Sequence, residues 1–105
     1  MLLCLSDTLD FSKVKFLQVK SISVRTDQDH NTCNITDMCL VSDDRMVMAD
    51  GVNRSIKLVD LTTGRILHRL ELEDCPFGVC KMFGDRVAVT LLAGMIKVPL
   101  FIMNI

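Results

Sequence analysis

An all-β chain of repeated antiparallel sheets is predicted by three observations: strand length, turn chemistry and an internal repeat. Residues 35–72 divide into four short β-branched or apolar segments, at 35–41, 46–50, 55–60 and 65–72. The connections Ser42-Asp43-Asp44-Arg45, Gly51-Val52-Asn53-Arg54 and Leu61-Thr62-Thr63-Gly64 carry residues that tolerate positive φ or bond their own backbone. Four strands in about 38 residues leave no room for a helix, which is the size of one propeller blade. Placing Cys39 over Cys80, 41 residues later, sets Asp44-Arg45 on Asp85-Arg86 and Met46-Val47-Met48 on Val87-Ala88-Val89. With one residue deleted in the next turn, Ile56-Lys57-Leu58 falls on Ile96-Lys97-Val98. A period near 40 residues of strand and turn belongs to radial β arrays rather than to helical solenoids. The expected fold class is therefore all-β, a partial β-propeller of antiparallel four-stranded blades.

Taken in order, residues 1–13 read as a surface lead-in. Residues 14–26 read as the outer strand of a preceding blade, with Val14/Phe16, Leu17/Val19 and Ile22/Val24 as apolar pairs spaced by two. Their phase slips twice, which predicts a bulge or break. Asp27-Gln28-Asp29-His30-Asn31-Thr32 is a polar loop. Residues 35–72 then form the complete blade. Its second strand, Met46-Val47-Met48-Ala49, is apolar on both faces, as in a strand packed between neighbouring sheets. Its fourth strand alternates, with Ile66, His68, Leu70 and Leu72 opposed to Leu67, Arg69 and Glu71, as at a half-exposed outer edge. Cys75-Pro76-Phe77 opens an incomplete second blade over 76–105, since Pro76 cannot donate to a ladder and marks a strand entry. Strands are expected at 77–82, 86–91 and 95–100, followed by an apolar tail. A truncated or aberrantly ended reading frame, and hence a non-functional product, is one reading of that tail.

Composition narrows the function classes. The chain has 105 residues, 50% of them apolar, a mean hydropathy of +0.36 and a net charge of −1. That excludes disorder and gives no electrostatic footprint for nucleic acid or anionic membrane. Five Phe with no Trp or Tyr argue against Trp-Asp repeats and against stacking platforms for bases or sugars. Cysteines at 4, 33, 39, 75 and 80 form no C-x-x-C pair, so reduced thiols in a cytoplasmic protein fit better than disulfides or zinc. Cys39 and Cys80 read as small core residues. The apolar stretch after residue 91 is interrupted by Pro99 and too short to span a bilayer. No G-x-S-x-G, H-E-x-x-H or P-loop pattern occurs, so no catalytic residue, cofactor or metal is expected. His30 beside Asp27 and Asp29 reads as a solvated turn, and His68 as a surface residue.

The run Ala49-Asp50-Gly51-Val52-Asn53-Arg54-Ser55-Ile56-Lys57-Leu58-Val59-Asp60 resembles the core of an NHL repeat. Residues 35–40 before it and 75–80 and 86–90 after it are similar to the divergent NHL-like blades at the C-terminus of many tripartite-motif proteins. The likeness covers roughly residues 14–98. It implies a protein-interaction module, comparable to the substrate-recruiting propeller of a RING-type ubiquitin ligase. The second repeat has Thr90-Leu91-Leu92-Ala93-Gly94 where the first has Ala49-Asp50-Gly51-Val52-Asn53, so the Asp and Asn of the motif are lost there. RING, B-box and coiled-coil patterns are absent from the sequence, so ligase chemistry is not carried by it.

In propellers, the loops joining second to third strands share a rim with the loops between blades. Here that rim is expected at residues 27–34, 51–54, 73–76 and 92–94, with Asp29, His30, Asn53 and Arg54 as the polar groups that meet a protein partner. Self-association through exposed blade edges is left open. The alternative is a fragment that binds single-stranded RNA. Against it, Lys13, Lys15, Lys20 and Arg25 make only a thin basic stripe.

Overall fold

The computed structural model describes residues 11–15, 17, 20–92 and 100–104. Among them seven strands form two antiparallel sheets, and no α-helix occurs. Sheet one runs β1 (Ile35–Ser42), β2 (Arg45–Asp50), β3 (Ser55–Asp60) and β4 (Arg65–Glu71), paired in chain order. Sheet two contains β5 (Pro76–Lys81), β6 (Arg86–Leu91) and β7 (Leu100–Asn104), again in chain order. Phe11–Lys13 makes one 3-10 turn. No helix among the described residues is long and apolar enough to cross a membrane.

Turn chemistry sets these hairpins. Between β1 and β2, the Ser42 hydroxyl donates to Asp44 Oδ1 at 2.9 Å. Between β3 and β4, Asp60 Oδ1 accepts from the Thr62 and Thr63 amides, and Gly64 closes the turn at φ +74°, where a Cβ would be strained.

The internal repeat is visible in the ladders themselves. β1 and β2 align Asp37 with Ala49, Met38 with Met48 and Cys39 with Val47. β5 and β6 align Gly78 with Thr90, Val79 with Val89 and Cys80 with Ala88, every partner 41 positions later. The irregularity between Ile35 and Asp37 recurs between Pro76 and Gly78, at the same offset. A slip of one residue would send every side chain to the opposite face, so a shared register and bulge identify one structural unit used twice.

Side-chain alternation then decides what packs on what. The front of sheet one presents Val47, Ala49 and Ile56, with Cys39, Val41, Leu58 and Leu72 beside them, against Val79, Val87, Val89 and Leu91 of sheet two. Val47 and Val87 are both fully buried. Each such side chain contributes about 1.5–3 kcal/mol on burial. β1 and β5 lie side by side, and polar side chains of β1 reach the backbone of β5. Thr36 Oγ1 donates to the Phe77 carbonyl at 2.8 Å, and the Val79 amide donates to Asp37 Oδ2 at 3.0 Å. These bonds occupy part of the edge that β5 would otherwise leave unpaired.

Four expectations differ from the structure, the first at Cys80, which reads as a core residue in the sequence but is exposed, while its counterpart Cys39 packs against the core. Residues 20–26 carry no strand, although their burial alternates; Val24 is held through its carbonyl by the Lys57 side chain, and Lys20 reaches the Leu61 carbonyl in the turn after β3. Phe16, Gln18 and Val19 of the expected outer strand lie outside the described residues. The third strand of sheet two begins at Leu100, and the Ile96-Lys97-Val98 expected there also lies outside them. Thr90 pairs with Leu100 as Ala49 pairs with Ile56, so part of the apolar tail is a strand of the second unit. Finally, β4 slips register against β3 between Leu58 and Val59. Ile66 and Arg69 consequently fall on the same face as Val59 and Lys57, the Arg69 side chain is only 10% exposed, and Leu70, opposite Ile56, is 45% exposed.

Candidate functional site: a buried lysine–carboxylate clasp under the loop rim

β2 and β3 deliver Asp50 and Lys57 to the back of sheet one, on the face away from sheet two. Both side chains are fully buried. A charged residue in a central strand with no wet face needs an opposite charge. The Lys57 ammonium donates to Asp29 Oδ2 at 2.6 Å, to Asp50 Oδ2 at 2.9 Å and to the Val24 carbonyl at 2.6 Å. Cys33 Sγ lies 3.5 Å from the same nitrogen. Asp29 is held from two further directions, by the Thr26 amide on Oδ2 at 2.8 Å and by Arg69 Nε on Oδ1 at 3.1 Å.

Asp50 and Asn53 extend this network into the loops. The Asn34 amide donates to Asp50 Oδ1 at 3.0 Å, and Asn53 Nδ2 to Asp50 Oδ2 at 2.9 Å. Asn53 grips the backbone of Asn31 in both directions, accepting from its amide at 2.9 Å and donating to its carbonyl at 3.1 Å. Two carboxylates therefore face two cations, and the motif residues Asp50, Asn53 and Lys57 clasp the segment 24–34 onto the sheet.

The protonation states follow from these contacts. Burial pushes the Asp29 carboxyl up, but the bonds from Lys57, Thr26 and Arg69 outweigh it and hold the group well below the usual carboxylate range. Asp50 is likewise lowered against burial by Asn34, Asn53 and Lys57. Burial pulls Lys57 down, yet Asp29 and Asp50 together raise it above its ordinary value. Burial and the neighbouring Asp50 raise the Cys33 thiol, which stays protonated at neutral pH. A lysine held as ammonium is not a nucleophile, and carboxylates held ionised are not general acids.

One ligand atom each of Asp29, Cys33 and Asp50 lie within 4.8 Å of one another, a grouping that suits a cation. The Lys57 ammonium touches all three and supplies the positive charge that a metal ion would bring there.

The sequence-expected site residues divide into two pairs. Asp29 and Asn53 point inward, 4% and 6% exposed, with their polar atoms engaged within the chain, so neither offers its side chain to a partner. His30 and Arg54 are exposed. Arg54 adopts φ +48°, and its carbonyl accepts from the Leu72 amide at 2.8 Å. The expected loops do converge. The Gly51 amide donates to the Asn34 carbonyl at 3.0 Å, and the Leu92 amide to the Cys75 carbonyl at 2.8 Å. A Cβ on Gly51 would lie 3.2 Å from Thr36 Cγ2 and 3.3 Å from the Pro76 carbonyl, a tight fit where three connections meet. Ala93 and Gly94, also expected at this rim, lie outside the described residues. Val52, 45% exposed, and Leu92, 68% exposed, give the rim an apolar component beside His30 and Arg54.

Lys57, Cys33 and Arg69 were not singled out by the sequence reading. The available signal was Lys57 itself, a charge between Ile56 and Leu58 in a central strand next to the apolar β2.

No protein-family model matches the chain, and neither a curated protein nor a solved structure matches it.

Proposed function

We propose that the chain is a protein-interaction module built from two propeller-type blades, similar to NHL-like repeats, and that its loop rim is the docking edge. The observation that carries this reading is the 41-residue recurrence of register and bulge in two stacked sheets. Blade-like sheets that bury both faces of their central strand leave connecting loops as the variable, chemistry-bearing surface. The rim offers a cation at Arg54, an imidazole at His30 and apolar side chains at Val52 and Leu92, a mixture suited to a peptide segment with a carboxylate beside an apolar residue. In a larger assembly such a module would recruit substrate to a ubiquitin ligase whose catalytic domains lie elsewhere.

The test is quantitative affinity capture with the full chain and with a His30→Ala/Arg54→Ala variant, followed by affinity measurement on purified captured proteins. The reading expects partners whose affinity falls at least tenfold with the variant. Partners bound equally by both proteins would remove the rim from the account.

A further inference from the structure

The two faces of each sheet are not equivalent, and the repeat says which face each one should meet. The front of sheet one, with Cys39, Val41, Val47 and Ala49, is covered by the inward face of sheet two. Shifting those four residues by the shared register gives Cys80, Met82, Ala88 and Thr90. Alternation places these on the outer face of sheet two, the one turned away from sheet one, where Ala88 is nonetheless only 7% exposed. Cys80 is exposed, Met82 is 38% exposed and Thr90 is half-buried, so along β5 this face is uncovered.

The matching shift applies to the other side. The inward residues Val79, Val87 and Val89 of sheet two correspond to Met38, Met46 and Met48 on the back of sheet one. Over β1 and the Met46 and Met48 positions of β2, that back is the counterpart of the inward face of sheet two, and such a pair of faces already packs inside the chain; Asp50 departs from the match, standing where sheet two has Leu91. The back is closed over β3 by residues 20–34. Lys57, Asp50 and Val59 are fully buried there, Lys20 Nζ bonds the Leu61 carbonyl at 2.7 Å, and the clasp holds Asp29 and Val24. Met38, at the β1 margin, remains 49% exposed.

We propose that the outer face of sheet two is a docking surface for the back of sheet one of a second copy, and that residues 20–34 are a cap that keeps this second surface closed. The occupant is a second copy because the chain itself contains the complementary pair of faces, one open and one capped. Contact of this kind is heterologous, so each added copy presents the same open face again and the assembly grows head to tail until a ring closes. The inference rests on the observed register and not on the rim as a binding site.

Sedimentation velocity of the full chain at neutral pH tests it, with circular dichroism to verify folding. The wild-type chain is expected to be monomeric. Asp29→Ala, which loosens the cap, is expected to produce discrete oligomers, and adding Cys80→Arg at the exposed margin of the outer face of sheet two is expected to return them to monomers. Asn53→Ala releases Asn31 of the cap while keeping Lys57 neutralised, and repeats the test if Asp29→Ala does not fold. A folded variant of either kind that stays monomeric overturns the proposal, as do assemblies that ignore Cys80→Arg. Oligomers of the wild type with its cap in place overturn it too. Unfolding of both variants would show that residues 20–34 are part of the fold and not a removable cover.

Discussion

Replacing Lys57 with Met keeps the length of the side chain and removes its charge. In the wild type, Asp29 and Asp50 face Lys57 and Arg69, and the cluster is neutral. In the variant, two buried carboxylates with oxygens within 4.8 Å of each other share only Arg69. At an effective dielectric constant near 20, their repulsion is about 3–4 kcal/mol. Breaking a buried ion pair by deleting one partner costs about 3–5 kcal/mol, which agrees. A chain of this length has a total stability of about 5–15 kcal/mol, so the loss is a large fraction of it. With a urea m-value of about 1.5–2 kcal/mol/M, the midpoint should fall by about 2 M. The pH dependence supplies a sharper signature. In the wild type, both carboxylates titrate below their unfolded value, so their contribution is complete above about pH 4–5 and is lost as pH falls further. In Lys57→Met one carboxyl is forced to hold a proton, its pKa rises above the unfolded value, and stability increases as pH drops from 7 towards 5. Urea titrations of both proteins at pH 5 and 7 measure this. A variant that loses less than about 1 kcal/mol, or whose stability does not rise from pH 7 to pH 5 while the wild type's holds, refutes the clasp.

Three further outcomes are expected. Asp37→Ala leaves the Val79 amide without its acceptor at the seam between β1 and β5, and should cost about 1–2 kcal/mol in chemical denaturation with the m-value unchanged. Ser55 is fully buried and its hydroxyl has no hydrogen-bond partner among the described residues, so Ser55→Ala should raise stability by about 1 kcal/mol, read as a higher thermal midpoint. At the alkaline end, the wild type should hold its stability through the ordinary lysine range and lose the Lys57 contribution only as pH rises through that residue's elevated value, seen as alkaline unfolding followed by circular dichroism.

The strands of sheet one were legible because their turns are chemically explicit: Asp60 with Gly64, and Asp43 with Asp44, fix where each hairpin reverses. The 41-residue repeat was legible because Cys39, Asp44 and Arg45 recur intact at Cys80, Asp85 and Arg86. Two features were not. The slip between Leu58 and Val59 leaves no mark on an alternating apolar pattern, so the inward turn of Arg69 could not be read from β4 alone. The clasp joins Asp29, Cys33, Asp50, Lys57 and Arg69 across 40 positions of sequence, and charge pairing over such distances has no period to detect. Asp29 and Asn53 looked like polar loop residues open to a partner because their composition does not reveal that a buried lysine lies beneath them.

The central claim is that one strand-pair register is used twice, 41 residues apart. Cross-strand nuclear Overhauser contacts measure it most directly. The account predicts contacts for Cys39 with Val47 and Met38 with Met48, and at the same spacing for Cys80 with Ala88 and Val79 with Val89. Val79 found opposite Ala88 would put the second sheet one residue out of step, turn its apolar row away from sheet one, and contradict the account.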